Sequence, residues 1–198
     1  MPEYVPSIRY TRSVVPARTS SSAISRRSCS GSPPIATTLR QQFGDTTAAG
    51  ALRMVESIAG DPPNDRLLIA EEDVRVGTTL REYRMDGTYT GRDLPPRHFQ
   101  AQAEGVALWA CADGSGVWIT TDQSSDRTVF HLFDRRALRF LGSFAGDHVA
   151  LTDGIWLHAS GTPRFPAGVL YAAHDDRGVG AFDWRDIATA LKLRESCD

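Results

Sequence analysis

Three stretches of the chain repeat one pattern at nearly constant spacing, and this limits the folds open to it more than any bulk property does. "RLLIAEEDVRVGTTLREYRMDG" begins at Arg66, "GVWITTDQSSDRTVFHLFDR" at Gly116 and "GVLYAAHDDRGVGAFDW" at Gly168, so the starts lie 50 and 52 residues apart. Each reads as an apolar strand, a polar knot, a second strand and a turn. A strand-built period of this length suits one propeller blade, which takes roughly 40 to 50 residues. Equivalent positions of successive repeats then return to one structural level. The knots Glu71-Glu72-Asp73, Thr121-Asp122-Gln123 and His174-Asp175-Asp176 are therefore expected at a common level, where carboxylates from distant repeats converge.

Around these repeats the chain from about residue 50 alternates short apolar runs with Gly, Asp, Pro and Asn, the rhythm of strands and tight turns. Asp86-Gly87 and Asp113-Gly114 suit hairpin turns for backbone reasons alone. Glu71 and Glu72 have no such excuse: glutamate is no turn former, and two of them directly after "LLIA" need a partner for their charge. Near the C-terminus, Asp183 as a cap with Asp186 three residues on, and Ile187 and Leu191 spaced by four, predict one short packing helix. Trp109, Trp118, Trp156 and Trp184, with Phe130, Phe133, Phe140, Phe144 and Phe182, are expected in the core between sheets.

Charge divides the chain. Residues 1–40 carry six arginines against Glu3, a balance of +5, and residues 41–198 carry 16 basic and 23 acidic groups, a balance of −7. The first segment, rich in Ser, Pro and Arg and without apolar periodicity, is expected to be a basic low-complexity arm that does not order; 41–198 is the folded body. The arm lacks interleaved aromatics and any recognition motif, so nucleic-acid binding is not expected. No apolar run suits a membrane span, and the N-terminus shows no apolar leader. Cys29, Cys111 and Cys197, far apart and odd in number, are expected to be buried or incidental thiols.

Phosphate loops, zinc-protease and nucleophile-elbow motifs are absent, and His98, His131, His148, His158 and His174 show no metal-ligand spacing. No Ser-His-Asp or Cys-His set stands out. Grouped carboxylates remain as the enzymatic signal, and hard oxygen donors favour Ca²⁺ or Mg²⁺.

The runs "RLLIAEED", "AEGVALWACADGSGVWITTDQSSDRTVFHLFDR", "LTDGIWL", "RFPAGVLYAAHDD" and "VGAFDWRDIA" occur in the order and rough spacing of the C-terminal half of β-propeller phytases. The chain resembles that family over about residues 50–192. The resemblance implies an all-β fold, a partial β-propeller of about three to four blades of a six-bladed type with a short C-terminal helix. It implies a calcium-dependent phosphoric monoester hydrolase of the 3-phytase type, releasing phosphate from myo-inositol hexakisphosphate (phytate). The matching calcium ligands are Glu56, sixteen residues before the second glutamate of "IAEED"; Glu72, that glutamate itself; Glu104 in "AEGV"; Asp147 and Asp153 in "GDHVALTDG"; and Asp175 in "AAHDD". Glu72, Glu104 and Asp147 are assigned the catalytic role of orienting phosphate and water.

A six-bladed ring needs roughly 240 to 300 residues, so a chain of 198 residues is expected to hold about half of one. Open blades leave sheet edges and faces uncovered, which predicts self-association, including completion of a ring by a second copy. The family is usually exported. Two other readings stand beside the enzyme: a non-catalytic propeller-type binding module, and an inactive phytase remnant.

Overall fold

The computed structural model describes residues 7–8, 39–44 and 48–197. The chain forms two compact units, residues 1–10 with 43–198 and residues 11–42, and the first carries all that follows. The expected disordered arm at 1–40, and Cys29 within it, lie outside the described residues except for 7–8 and 39–40.

Among the described residues twelve strands and one α-helix follow in order: β1 Ser7–Ile8, β2 Val55–Asp61, β3 Arg66–Glu71, β4 Thr79–Tyr83, β5 Tyr89–Asp93, β6 Gln102–Ala110, β7 Gly116–Gln123, β8 Val129–Asp134, β9 Phe140–Gly146, β10 Ile155–His158, β11 Val169–His174, β12 Gly178–Asp183 and α1 Trp184–Leu191. They form three sheets, each an antiparallel meander: β2-β3-β4-β5, then β6-β7-β8-β9 with β1 added parallel to β9, then β10-β11-β12. The fold is all-β with a short C-terminal helix, and none of the sheets closes on itself. The three sequence repeats fall on β3-β4, β7-β8 and β11-β12, the second and third meander strands of each sheet.

The central sheet is covered on both faces, so its middle strands are buried at most positions, polar ones included. On β7 and β8, Val117, Ile119, Phe130 and Leu132 face a core shared with Leu170, Phe182, Trp184 and Ile187 of the third sheet and α1. Trp118 and Phe133 point the opposite way, into a core with Leu68, Ala70 and Leu80 of the first sheet. Period-2 alternation thus feeds two cores from one strand. Trp118, Phe130 and Phe133 are fully buried, and truncating any one to Ala should cost about 3–5 kcal/mol. The first strands of the sheets come together as well: β2 and β10 each lie against β6.

Turn chemistry follows the sequence. Gly114 sits at φ +82° and donates its N–H to the Cys111 carbonyl, while Asp113 accepts from the Ser115 N–H. The Asp183 side chain accepts from the Arg185 N–H and caps α1, which buries Trp184, Ile187 and Ala188.

Two expectations are overturned. Trp156 is 61% exposed, on the outward face of β10, where it lies beside Tyr171 with no further sheet over them among the described residues. Aromatic content alone could not tell a strand covered on two faces from one covered on a single face. Cys111 and Cys197, expected as thiols, are joined in a disulfide with Cα atoms 5.2 Å apart. They lie 86 residues apart in sequence. Only the return of the tail after α1 to the end of β6 brings them together.

Candidate metal centre

The site is built by a defect repeated in the first strand of each of the first two sheets. Val55 pairs with Glu71 and Ile58 with Ile69, so β2 holds one residue too many between them. Ala103 pairs with Asp122 and Val106 with Thr120, giving β6 the same extra residue. Such a bulge re-aims a side chain out of the normal alternation. Glu56 occupies the bulge in β2 and Glu104 the equivalent place in β6. In the third sheet Ile155 pairs with Ala172, which places Asp153 at the matching position, two residues before the aligned isoleucine. Ile58, Val106 and Ile155 are thus equivalent, and so are Glu56, Glu104 and Asp153.

A second repeated device fixes the approach to those acids. Glu71, fully buried, accepts from the N–H groups of Arg53, Met54 and Asp73. Asp122 accepts from Gln100 N–H at 2.8 Å and Ala101 N–H at 2.9 Å. His174 Nδ1 lies 3.2 Å from the Ala150 N–H. In every repeat a residue at the end of the second strand, the last in β3 and β11 and the last but one in β7, therefore anchors the backbone leading into the first. This answers the puzzle of the adjacent glutamates: Glu71 is held by backbone donors, and Glu72 alone turns toward the site.

Glu56, Glu72 and Glu104 each offer a carboxylate oxygen within 4.8 Å of the others. Glu104 is buried, Glu72 half-buried and Glu56 exposed. Gly105 makes the approach possible, because a Cβ there would lie 2.8 Å from Ile155 and 3.1 Å from the Asp153 carbonyl oxygen. Burial, then hydrogen bonding to Glu72, then the charges of Glu72, Glu56 and Asp153 push the Glu104 carboxyl from 4.5 up to about 9. Glu56 is raised as well, by loss of solvent and by the charges of Glu72 and Asp153. The neighbours acting on both groups are all acidic, so the group is held together against its own repulsion. Gln102 Nε2 donates to Glu72 at 2.8 Å, and Gln123 Nε2 donates to Asp153. Gln123 stands where Glu72 stands one repeat earlier, which is why the second junction carries two acids and a neutral donor in place of three carboxylates.

The donor set fits a hard divalent cation. It offers carboxylate oxygens only, from three different segments, with one member buried and strongly in need of a positive neighbour. Of the six residues singled out in sequence, Glu56, Glu72 and Glu104 come together, and Asp153 lies close enough to act on two of them. Asp147 is exposed just past β9 and does not belong to the group; Asp175 pairs with Arg177 at 3.1 Å. A sequence signal separates these cases. Glu56, Glu104 and Asp153 follow one another at 48 and 49 residues, close to the repeat length, whereas Asp147 is out of step.

One constellation was invisible in sequence. Ser143 Oγ lies 2.6 Å from His131 Nδ1, and His131 Nε2 lies 3.7 Å from Asp122. His131 is buried, and Asp122 already spends both oxygens on backbone N–H groups. The set ties β7, β8 and β9 together.

No protein-family model matches the chain, and no curated protein matches it.

Proposed function

We propose that the chain is a phytase-like phosphomonoesterase, calcium-dependent and acting on inositol hexakisphosphate, built on part of a β-propeller. The observation that carries the proposal is the recurrence of Glu56, Glu104 and Asp153 at one position of three successive repeats, with Glu72 completing a group of three carboxylates. Consecutive four-stranded meanders, a central sheet covered on both faces, and first strands that lie side by side are what neighbouring propeller blades require.

Glu56, Glu72 and Glu104 would hold the ion. Calcium, when bound, supplies the positive charge that attracts phosphate oxygens and neutralises charge developing on them. The chain's own part is positional. The two bulges set the carboxylates, Glu71 and Asp122 lock the backbone before them, and Gln102 orients Glu72. Glu104 keeps its proton to about pH 9 in the metal-free protein, so ion binding must release that proton and tighten as pH rises.

Calcium should raise the melting temperature and chelator lower it. At a hundredfold excess over Kd the gain is about 2.7 kcal/mol. Glu72→Gln should remove most of the shift, and phosphate release from inositol hexakisphosphate should need calcium. A melting temperature indifferent to both calcium and chelator sinks the proposal. A second reading has its own support, since the charges acting on Glu56 and Glu104 are acidic and none is a phosphate-gripping cation. A calcium-binding module without catalysis would show the thermal shift and no phosphate release.

A further inference from the structure

At the far end of the strands from the carboxylates lies a cavity of about 470 Å³, walled by the start of β7, the end of β8, the start of β9 and the tail after α1. Its floor is apolar, with Trp109, Val117, Leu141 and Leu193. Two cations, Arg139 and Lys192, stand in its wall. Among the described residues neither has an acidic partner, whereas Arg194 beside them is paired with Asp113 at 2.7 Å. Asp134, the acid in the lining, accepts from the Arg136 and Ala137 N–H groups at 2.9 and 2.7 Å. The wall made by the tail is held in three ways. Cys197 is bonded to Cys111, Arg194 to Asp113 and Ser115, and the Arg194 carbonyl oxygen accepts from Trp184 Nε1 at 3.1 Å.

We propose that this cavity is a second binding site, separate from the carboxylate group, for a small amphipathic anion whose apolar body lies on Trp109 and Leu193 and whose acidic group meets Arg139 and Lys192. The volume falls within the range of small-molecule pockets, and an apolar floor with a few convergent polar groups is their usual build. Charge decides the class of ligand. Two cations without an ion-pair partner, Arg139 and Lys192, against the one carboxylate of Asp134 leave the lining with a positive surplus beside an apolar surface, which favours an anion over a neutral or cationic molecule.

The test is a fluorescence titration of the full, oxidised chain with 8-anilinonaphthalene-1-sulfonate, an aromatic anion. One saturable site per chain is expected. The double variant Arg139→Gln/Lys192→Gln should weaken it roughly tenfold or more, while Arg139→Lys/Lys192→Arg keeps the affinity. Both positions are exposed, so folding is not at stake. The neutral dye N-phenyl-1-naphthylamine should bind more weakly, and Glu72→Gln should bind the anion as the parent does. The proposal is overturned by absence of saturation at one site, by equal affinity in the Gln variant, or by tighter binding of the neutral dye.

Discussion

The two ends of the strands treat buried acids in opposite ways. At one end Asp61 is buried against Arg135, with Nη2 2.7 Å from Oδ1 and Nε 2.9 Å from Oδ2. Arg66 pairs with Glu82 at 2.9 Å and also donates to the carbonyls of Arg135 and Arg136. This network ties the first sheet to the second. Burial alone would raise the Asp61 carboxyl, but hydrogen bonds from Arg135 and Asn64 and the nearby guanidinium charges hold it below its ordinary value. At the other end Glu104 is pushed up to about 9 by burial, by its hydrogen bond with Glu72 and by the like charges around it. The fold compensates its own charges where they hold sheets together, and leaves them uncompensated at the candidate metal centre, where the proposed cation would supply the missing charge. A cluster that weakens the metal-free protein is a reason to look for what it binds.

The contrast can be broken by mutation at either end. Arg135→Leu should be the most damaging change, because it strands a buried carboxylate; a loss of about 3–5 kcal/mol is expected in urea unfolding. A loss under about 1 kcal/mol would show that the paired end does not hold the sheets. Next comes the disulfide at that same end. Cys111→Ser/Cys197→Ser removes a cross-link spanning 86 residues and should cost about 2–4 kcal/mol, read in the same assay.

At the acidic end the sign reverses. Glu104→Gln in chelator at pH 8 should stabilise the protein by about 1–2 kcal/mol while abolishing the calcium shift. The pH dependence has the same origin. Unfolded Glu104 loses its proton near 4.5 and folded Glu104 near 9, so the folded form binds more protons between these values. Metal-free stability is therefore greatest below about 4.5 as far as this group is concerned, and falls as pH rises toward 9. Urea midpoints taken across that range in chelator should slope downward, and calcium should flatten the slope. A flat profile in chelator would mean that burial and the neighbouring acids do not hold Glu104 protonated.

The smallest effect sharpens the comparison between junctions. Gln123→Glu replaces the neutral donor beside Asp153 with an acid and should cost about 1 kcal/mol without metal. It should also raise calcium stoichiometry by calorimetry, since it recreates at the second junction what Glu72 provides at the first.

Much of the fold was legible in the chain itself. The 50-residue repeat located the hairpins β3-β4, β7-β8 and β11-β12, and Asp183 with Ile187 and Leu191 marked α1, because strand alternation, turn residues and caps are local effects written in local sequence. Glu56, Glu72 and Glu104 were also nominated from sequence, and their contact depends on repeats that bring equivalent positions to one level. What escaped is non-local. Asp147 lies only six positions from Asp153, and although the spacing from Glu104 favours Asp153, it is the register of β10 against β11 that shows Asp153 in the place equivalent to Glu104. Trp156 looks like Trp118 until the layers on each side of its strand are known. The union of Cys111 with Cys197, and the match of Asp61 to Arg135 across two sheets, depend on which strand ends meet at sequence separations of 86 and 74. Periodicity carries no information about such meetings, because it reports which face a residue takes and not what the fold sets opposite that face.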